Sequence, residues 1–179
     1  MQEALTYADL ATFPDDGLRR EIIDGELIVS PAPRIRHQKV LARLHLIFGN
    51  HLAVSGGGEV FFAPVDVVLS DSNVVEPDLL FVADDQSDLM TEANVQGAPA
   101  LVVEVRSQPR IDRVRKRDLY ARFGAAQYWI VDPDADRVEV YRLAGDDRYP
   151  KPEIFEPGET LTYDRLPGLQ VDLTQLFAR

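Results

Sequence analysis

The sequence predicts a mixed fold, α/β or α+β, in which a central mixed β-sheet is flanked by helices. Short runs rich in Val, Leu and Phe alternate with two segments of helical periodicity, and neither repeats nor low-complexity tracts interrupt the pattern. The 179 residues, 45% of them hydrophobic, are enough for one core of ordinary size. A single domain over residues 1–179 is therefore expected, with β segments added at both ends.

Each element in the first half of the chain has a local signal. Thr6 can cap a short helix that runs to Leu10, and residues 21–30 resemble two strands around an Asp24-Gly25 turn of the hairpin-favouring type. Apolar residues at helical spacing predict a long helix over residues 37–53, ended by the glycines at 56–58. Four strands rich in Val, Leu and Phe are predicted at residues 60–62, 65–69, 78–82 and 101–105.

The second half continues the alternation. A second major helix is predicted over residues 112–123, with Gly124 as its left-handed end. The apolar run 127–131 and the alternating run 137–143 flank an Asp-Pro-Asp turn, which indicates a hairpin. Further on, Asp, Pro and Gly predict a loop with short strands near Ile154 and Leu161, followed by a helical turn over residues 172–177.

Composition restricts both the compartment and the available chemistry. The start of the chain has no basic stretch followed by an apolar one, and no apolar run approaches about 18 residues, so we expect a cytoplasmic protein that does not enter a membrane. The lack of cysteine excludes disulfides and thiolate ligands, leaving carboxylates and three histidines. No glycine-rich nucleotide motif is present, so no organic cofactor is expected.

The charge distribution gives a mixed indication about nucleic acid. A net charge of −11 argues against a protein that coats nucleic acid nonspecifically, because such binding depends on Lys and Arg. Eleven of the nineteen basic residues nevertheless fall in two short windows, residues 34–58 and 106–122. Solvated helix faces are the usual explanation of such runs. A nucleic-acid contact is the alternative, and its candidates are Arg106, Arg110, Arg113, Arg115 and Arg117.

Two acids embedded in apolar strands are the main candidates for chemistry. Asp78 precedes Leu-Leu-Phe-Val, and Glu104 lies inside Leu-Val-Val-Glu-Val. A buried carboxylate loses its hydration and needs a cation or hydrogen-bond donors in exchange. A divalent metal would supply the charge, and a lysine beside it could orient water for attack on a phosphodiester.

Lys116 is the lysine that fits this scheme. At 100° per residue, Lys116 shares an arc of about 100° with the apolar residues Leu119, Tyr120 and Phe123 of the second predicted helix. An exposed salt bridge to Asp112, four residues earlier, is the structural alternative. The apolar arc and the preceding acidic strand favour a catalytic lysine.

Several motifs occur over roughly residues 18–143. They are Asp-Gly-Glu-Leu near residue 25, Pro-Ala-Pro before His37, Glu-Pro-Asp78-Leu-Leu-Phe-Val, Val-Val-Glu104-Val, Asp112 with Lys116, and Gln127-Tyr-Trp-Ile-Val-Asp-Pro. Together these motifs resemble the Uma2 family of putative restriction endonucleases, within the PD-(D/E)xK nuclease superfamily. The loop after Val105 and the segment just before Lys116 depart from the family pattern, which affects the expected loop geometry and DNA contacts.

The resemblance implies a restriction-endonuclease-like core and metal-dependent cleavage of DNA. Asp78, Glu104 and Lys116 then correspond to the catalytic residues, and Asp78, Glu104 and the backbone carbonyl of Val105 to ligands of Mg²⁺, with Mn²⁺ as an alternative. Glu26 matches an upstream acidic position that could join the metal. DNA is the implied partner, and cutting two strands with one site per subunit suggests a homodimer.

Two other functions stay open at this stage. The acidic net charge and the altered loops are compatible with a noncatalytic module that binds nucleic acid or a protein partner on a retained nuclease scaffold. A carboxylate-pair hydrolase acting on sugars would need a general acid of raised pKa and aromatic sugar platforms, which the sequence does not reveal. A metal-dependent DNA endonuclease is the function that the sequence favours.

Overall fold

The computed structural model describes residues 4–14, 16–106, 111–145 and 147–179, without the side chains of Asp112 and Arg113. The chain forms the mixed α+β fold that the sequence predicts. The helices are α1 (Tyr7–Leu10), α2 (Ile35–Ser55), α3 (Arg117–Arg122) and α4 (Leu173–Leu176), with a 3-10 helix at Asp84–Leu89 and π-helical turns at Ile111–Lys116. The strands are β1 (Arg19–Ile23), β2 (Glu26–Ser30), β3 (Gly58–Phe62), β4 (Val67–Ser70), β5 (Asn73–Val75), β6 (Leu79–Ala83), β7 (Val95–Gln96), β8 (Leu101–Val105), β9 (Gln127–Asp132), β10 (Arg137–Arg142), β11 (Glu153–Phe155), β12 (Thr160–Thr162) and β13 (Gln170–Asp172).

The strands of the described ranges form three sheets. The largest has the order β11-β10-β9-β8-β6-β3 and is mixed, because β8 and β9 run parallel while the other neighbours run antiparallel. A five-stranded sheet has the order β2-β1-β5-β4-β7, and β12 pairs with β13. The predicted mixed sheet is confirmed, and the N-terminal strands β1 and β2 belong to the five-stranded sheet together with β5, β4 and β7.

The first hairpin forms where its turn residues predict it. Asp24 and Gly25 both have positive φ angles, 52° and 76°, which match a two-residue turn that follows the twist of the strands. Ile23 of β1 pairs with Glu26 of β2 directly across this turn. The turn therefore fixes the register of β1, and with it the position of Glu21.

Helix α2 covers one face of the six-stranded sheet. It begins two residues before the predicted range and ends two residues after it, and Gly56 follows with a φ of 64°. Its buried side chains, which include Leu44 and Phe48, form one stripe along the helix. The Phe48 ring packs edge-on against the Trp129 ring of β9, with 6.0 Å between the ring centroids. Among the described helices, none combines the length and apolar character needed to cross a membrane.

The second major helix differs from its prediction. The sequence predicted one regular α-helix over residues 112–123, whereas residues 111–116 form π-helical turns and only residues 117–122 are α-helical. The wider turns change the angular positions on which the predicted arc depended. Lys116 still turns inward, with only 2% of its surface exposed, while Val114 is half-exposed.

Two hydrophobic clusters lie on opposite faces of the six-stranded sheet. Along β8, Leu101, Val103 and Val105 pack in the cluster under α2, whereas Val102 packs in the cluster that holds α3 and the five-stranded sheet. Because side chains alternate along a strand, Glu104 points to the same face as Val102. The acid is thereby directed into the space between the two sheets.

Candidate functional site

A lysine ammonium lies between two buried carboxylates. Lys116 Nζ is 2.8 Å from Glu104 Oε1 and 2.8 Å from Glu21 Oε1. All three side chains are at most 3% exposed. At this depth, a carboxylate keeps its charge only if a cation or donors replace its hydration. Lys116 supplies one positive charge shared by two acids.

Tyr120 completes the surroundings of Glu104. Tyr120 lies in α3, and its hydroxyl donates a hydrogen bond to Glu104 Oε1 at a distance of 3.3 Å. Burial raises the pKa of Tyr120 well above its usual value, and the nearby charge of Glu104 raises it further. Tyr120 therefore stays protonated and acts as a hydrogen-bond donor.

Asp78 is the third buried carboxylate, and both of its oxygens accept hydrogen bonds. Arg19 Nη1 and Nη2 each lie 3.0 Å from Oδ1, while His37 Nε2 lies 3.1 Å from Oδ2 and the Val105 amide donates to Oδ2 at 2.7 Å. Burial by itself would raise the pKa of Asp78, but the hydrogen bond with His37 and the charge of Arg19 outweigh it and lower the pKa. Asp78 is accordingly ionised.

Arg19 connects the two halves of the site. Burial opposes its charge, but the carboxylates of Asp78, Glu104 and Glu21 outweigh burial and raise its pKa. Its Nε also lies 3.7 Å from Glu76 Oε2, and one fifth of its side chain is exposed. The site thus contains three buried acids, Glu21, Asp78 and Glu104, with Arg19 and Lys116 as their cations.

Two buried polar atoms of the site have no hydrogen-bond partner among the described residues. They are Glu21 Oε2 and His37 Nδ1. A buried polar atom without a partner is costly, and such atoms in a folded protein often mark a position for water, an ion or a ligand. The site therefore has hydrogen-bonding capacity that the described residues do not satisfy.

The donor chemistry of the three acids fits a hard divalent cation. Carboxylate oxygens are the ligands that Mg²⁺ prefers, and the unsatisfied Glu21 Oε2 is a free oxygen of this type. Among the described residues, however, no group of three or more His, Asp or Glu side chains is arranged so that it could hold a metal. Asp78 and Glu104 are bonded to Arg19 and Lys116 in this arrangement, so a metal would compete with those cations.

The structure brings Asp78, Glu104 and Lys116 into one site but leaves Glu26 outside it. Glu26 is 71% exposed and forms an ion pair with Arg115 Nη1 at 3.0 Å. The acid that joins Lys116 from the first hairpin is Glu21, five residues earlier and 1% exposed. The participation of Glu26 and of the Val105 carbonyl in metal binding stays a prediction.

The predicted DNA-contacting arginines that are described each pair with a carboxylate. Arg106 bonds to Asp132, Arg115 to Glu26, and Arg117 to the neighbouring Asp118 at 2.6 Å. Arg110 and the side chain of Arg113 lie outside the described residues. Their role in binding DNA stays a prediction.

Sequence reasoning missed Glu21, Arg19 and His37. Glu21 stands directly before Ile22 and Ile23, so it carries the same signal as Glu104, an acid beside β-branched residues in a strand. Arg19 lies two residues earlier and therefore on the same face of β1. His37 entered the sequence analysis only as the histidine after the Pro-Ala-Pro motif, and nothing local to the sequence indicated its contact with Asp78.

Comparisons with known proteins agree with this fold. The sequence profile of the Uma2 family, described as "Putative restriction endonuclease", matches residues 6–174. A crystal structure from Anabaena variabilis, described as a putative nuclease belonging to DUF820, superposes with a TM-score of 0.81 over 97% of this chain and 98% of that chain, at 19% identity. At that identity the likeness shows a shared fold, which is restriction-endonuclease-like. Among curated proteins, no match is found. Because the profile spans nearly the whole chain, the protein belongs to the Uma2 family, as its motifs indicated.

Proposed function

We propose that the chain is a metal-dependent endonuclease that hydrolyses phosphodiester bonds in DNA, with Asp78, Glu104 and Lys116 as its catalytic residues. The observation that carries this proposal is the ammonium of Lys116, 2.8 Å from the Glu104 carboxylate inside a site with three buried acids. A lysine held beside carboxylates can position water or stabilise charge during phosphoryl transfer. The family description supports the same class of reaction.

Asp78 and Glu104 would hold Mg²⁺, or Mn²⁺ in its place, with the Val105 carbonyl as a further oxygen. The lowered pKa of Asp78 keeps its carboxyl group ionised at neutral pH, as binding to a cation requires. When bound, the metal would polarise a phosphate oxygen and lower the pKa of water.

The residues of the chain would orient the reactants. Lys116 would direct an N–H bond at the attacking water, while Glu21 and Glu104 hold its ammonium in place. Arg19, which is partly exposed beside Asp78, would contact the scissile phosphate. The water oxygen forms a bond to phosphorus as the bond to the 3′ oxygen breaks, which leaves a 5′ phosphate and a 3′ hydroxyl.

A noncatalytic DNA-binding or partner-binding module is the second candidate. The observation in its favour is that both oxygens of Asp78 already accept hydrogen bonds from Arg19, His37 and Val105. If these bonds persist when substrate binds, the acid is structural and the site stabilises the fold instead of cutting DNA.

Cleavage of supercoiled plasmid DNA distinguishes the two candidates. With Mg²⁺ or Mn²⁺ we expect the wild-type protein to nick the plasmid, and Asp78→Asn and Lys116→Met to reduce the rate by at least about a hundredfold. Asp85→Asn, which removes an exposed carboxylate, serves as the matched control. DNA binding without cleavage would support the second candidate, and equal cleavage by wild type and both site variants would overturn the assignment of the residues.

A further inference from the structure

A cavity of about 500 Å³ opens onto the Asp78 carboxylate. Its polar side includes Arg19, His37, Glu76 and Asp78, and its apolar residues include Leu41, Phe62 and Pro64. Neither Glu21 nor Glu104 lines it. A ligand in this cavity would therefore meet the site first through Asp78 and its two partners.

A second cavity, of about 320 Å³, shares His37 and the segment 31–33 with the first. Its lining includes three arginines, Arg34, Arg36 and Arg106. Arg36 and Arg106 are paired with aspartates, but the exposed side chain of Arg34 makes no hydrogen bond or ion pair with the part of the chain that the structure describes. Asp134 also lines this cavity, so the attraction for negative charge on this side of the segment 31–33 depends on Arg34, while the other side is suited to an apolar ring.

We propose that these two adjoining cavities bind an unpaired DNA strand. One nucleotide lies at Asp78 with its base against Phe62, and the strand continues past His37 to Arg34. This inference rests on the proposed endonuclease function and specifies its substrate as single-stranded or locally unpaired DNA.

The depth of the acids favours an unpaired strand over an intact duplex. Asp78, the acid that the cavity reaches, is only 2% exposed, and Glu21 and Glu104 lie behind the lining of the cavity. A cavity of this size falls within the roughly 300–1,000 Å³ typical of small-molecule sites, which accommodates a nucleotide but not a double helix. A nucleotide separated from its partner strand can enter such a site, as it does in enzymes that extrude a base from the duplex.

Phe62 gives the cavity the surface that single-stranded DNA requires. Half of this large apolar side chain is exposed, at the end of β3 where it lines the cavity. Bases stack on aromatic side chains with little dependence on sequence, because every base has a π face. The Phe62 ring already has one aromatic neighbour, His45, whose ring meets it at 65°.

His37 supplies an independent indication of a ligand. Its side chain lines both cavities although it is only 7% exposed, its Nε2 is bonded to Asp78, and its Nδ1 has no partner among the described residues. Because Nε2 donates to the ionised Asp78, Nδ1 of the neutral ring accepts, and an N–H group of a base in the bound strand would donate that missing hydrogen bond.

The net charge of the chain favours contact with a few nucleotides over contact with a long stretch of DNA. A chain with a net charge of −11 is poorly suited to neutralising the many phosphates of a long duplex interface. A strand of a few nucleotides needs only a few cations, and Arg19 and Arg34 are placed at the two cavities.

Binding and cleavage of one oligonucleotide in three forms tests the inference. The wild-type protein is titrated, in EDTA, with a fluorescent DNA of about 20 nucleotides as a single strand, as a blunt duplex and as a duplex with a single-stranded overhang. We expect the two forms with unpaired nucleotides to bind at least about tenfold more tightly than the blunt duplex, and in Mn²⁺ to be cut faster by a similar factor.

Substitutions at Phe62 connect the preference to the cavity. Phe62→Ala is expected to weaken single-strand binding by about tenfold, whereas Phe62→Trp, which keeps an aromatic face, is expected to retain it. Ile154→Ala is the matched control, because Ile154 is an equally exposed large apolar residue on β11. It should bind as the wild type does.

The outcomes separate the inference from the proposed function. Equal binding of all three forms, or an unchanged affinity in Phe62→Ala, overturns the inference, while cleavage of the duplex would leave the proposed endonuclease intact. Tight single-strand binding that depends on Phe62 but leads to no cleavage in Mg²⁺ or Mn²⁺ supports the inference and contradicts catalysis.

Discussion

Lys116 carries the only ammonium positioned between Glu21 and Glu104 within the described residues. Two acids and one lysine at this depth leave a net negative charge unless another cation contributes. Arg19, which is bonded to Asp78 and whose pKa also responds to Glu104 and Glu21, is the second cation, so three buried acids share two cations. The electrostatic stability of the site therefore depends on a few named charges.

Lys116→Met tests this dependence. Removing the ammonium leaves two buried carboxylates short of a partner, so we expect the free energy of unfolding to fall by about 3–5 kcal/mol in EDTA at pH 7. Urea denaturation measures the change, and Lys151→Met, at an exposed position, is the control. Equal unfolding midpoints for Lys116→Met and wild type would contradict the electrostatic account.

Glu21→Gln tests the acid that the sequence did not reveal. The amide keeps an acceptor for Lys116 but removes a charge and a potential metal ligand, so we expect DNA cleavage to fall by at least about tenfold. Glu153→Gln, at an exposed ion pair, is the control. If Glu21→Gln cleaves DNA normally and Glu26→Gln does not, Glu26 rather than Glu21 is the acid that supports cleavage.

At the residue scale, the sequence indicated which charged side chains are buried where the cost of burial was visible in the local pattern. Asp78 borders an apolar strand, Glu104 lies inside one, and Lys116 shares an apolar stripe, and all three are buried. The hydrogen bond of His37 to Asp78 joins residues 41 positions apart, and no local pattern encodes it.

At the scale of elements, Asp132 ties the β9–β10 hairpin to the end of β8. Its Oδ1 accepts from the amides of Asp134 and Ala135 at 3.1 Å each, and its Oδ2 pairs with Arg106. Burial would raise the pKa of Asp132, but these hydrogen bonds and the charge of Arg106 outweigh it and lower the pKa. The ionised carboxylate is thus the form that stabilises the turn.

Asp132→Asn should lower stability in a pH-dependent manner. A carboxylate with a lowered pKa stabilises the fold above its ordinary pKa of 3.8, and that contribution is lost as the pH falls through the lowered value. We expect a deficit of about 2 kcal/mol at pH 7 that shrinks below about pH 4. Urea midpoints measured at pH 7 and pH 3 provide the check, and an equal deficit at both would contradict it.

Helix α2 should be sensitive on one face only. Phe48 is fully buried against Trp129, whereas Leu46, two residues earlier, is 60% exposed. We expect Phe48→Ala to cost about 3–5 kcal/mol of unfolding free energy and Leu46→Ala to change it by about 0.5 kcal/mol or less. Chemical denaturation of both variants measures the contrast, and similar losses would mean that the buried face is misassigned.

Elements whose apolar residues follow a regular spacing could be predicted from the sequence. Elements that depend on contacts with distant parts of the chain could not. Helix α2 and the β9–β10 hairpin follow from spacing and turn residues. The π-helical turns at Ile111–Lys116 break the 3.6-residue period, so a helical wheel describes them poorly. The three residues of β5 are too few to give an alternating pattern.

At the scale of the whole molecule, the site joins two sheets. Glu21 belongs to β1 of the five-stranded sheet, while Glu104 belongs to β8 of the six-stranded sheet. The Glu76 amide, two residues before Asp78, donates to Glu21 Oε1 at 2.8 Å. This contact links residues 55 positions apart, so no local pattern indicated it, and Glu26 was selected instead because it matches an upstream acidic position of the family.

Metal binding by Asp78 and Glu104 is the central claim, and manganese anomalous scattering from soaked crystals tests it most directly. We predict a peak within coordination distance of both carboxylates, with the Arg19 guanidinium displaced from Asp78. Crystals soaked with saturating Mn²⁺ that show no peak there, with Arg19 and Lys116 still bonded to the acids, would contradict the claim.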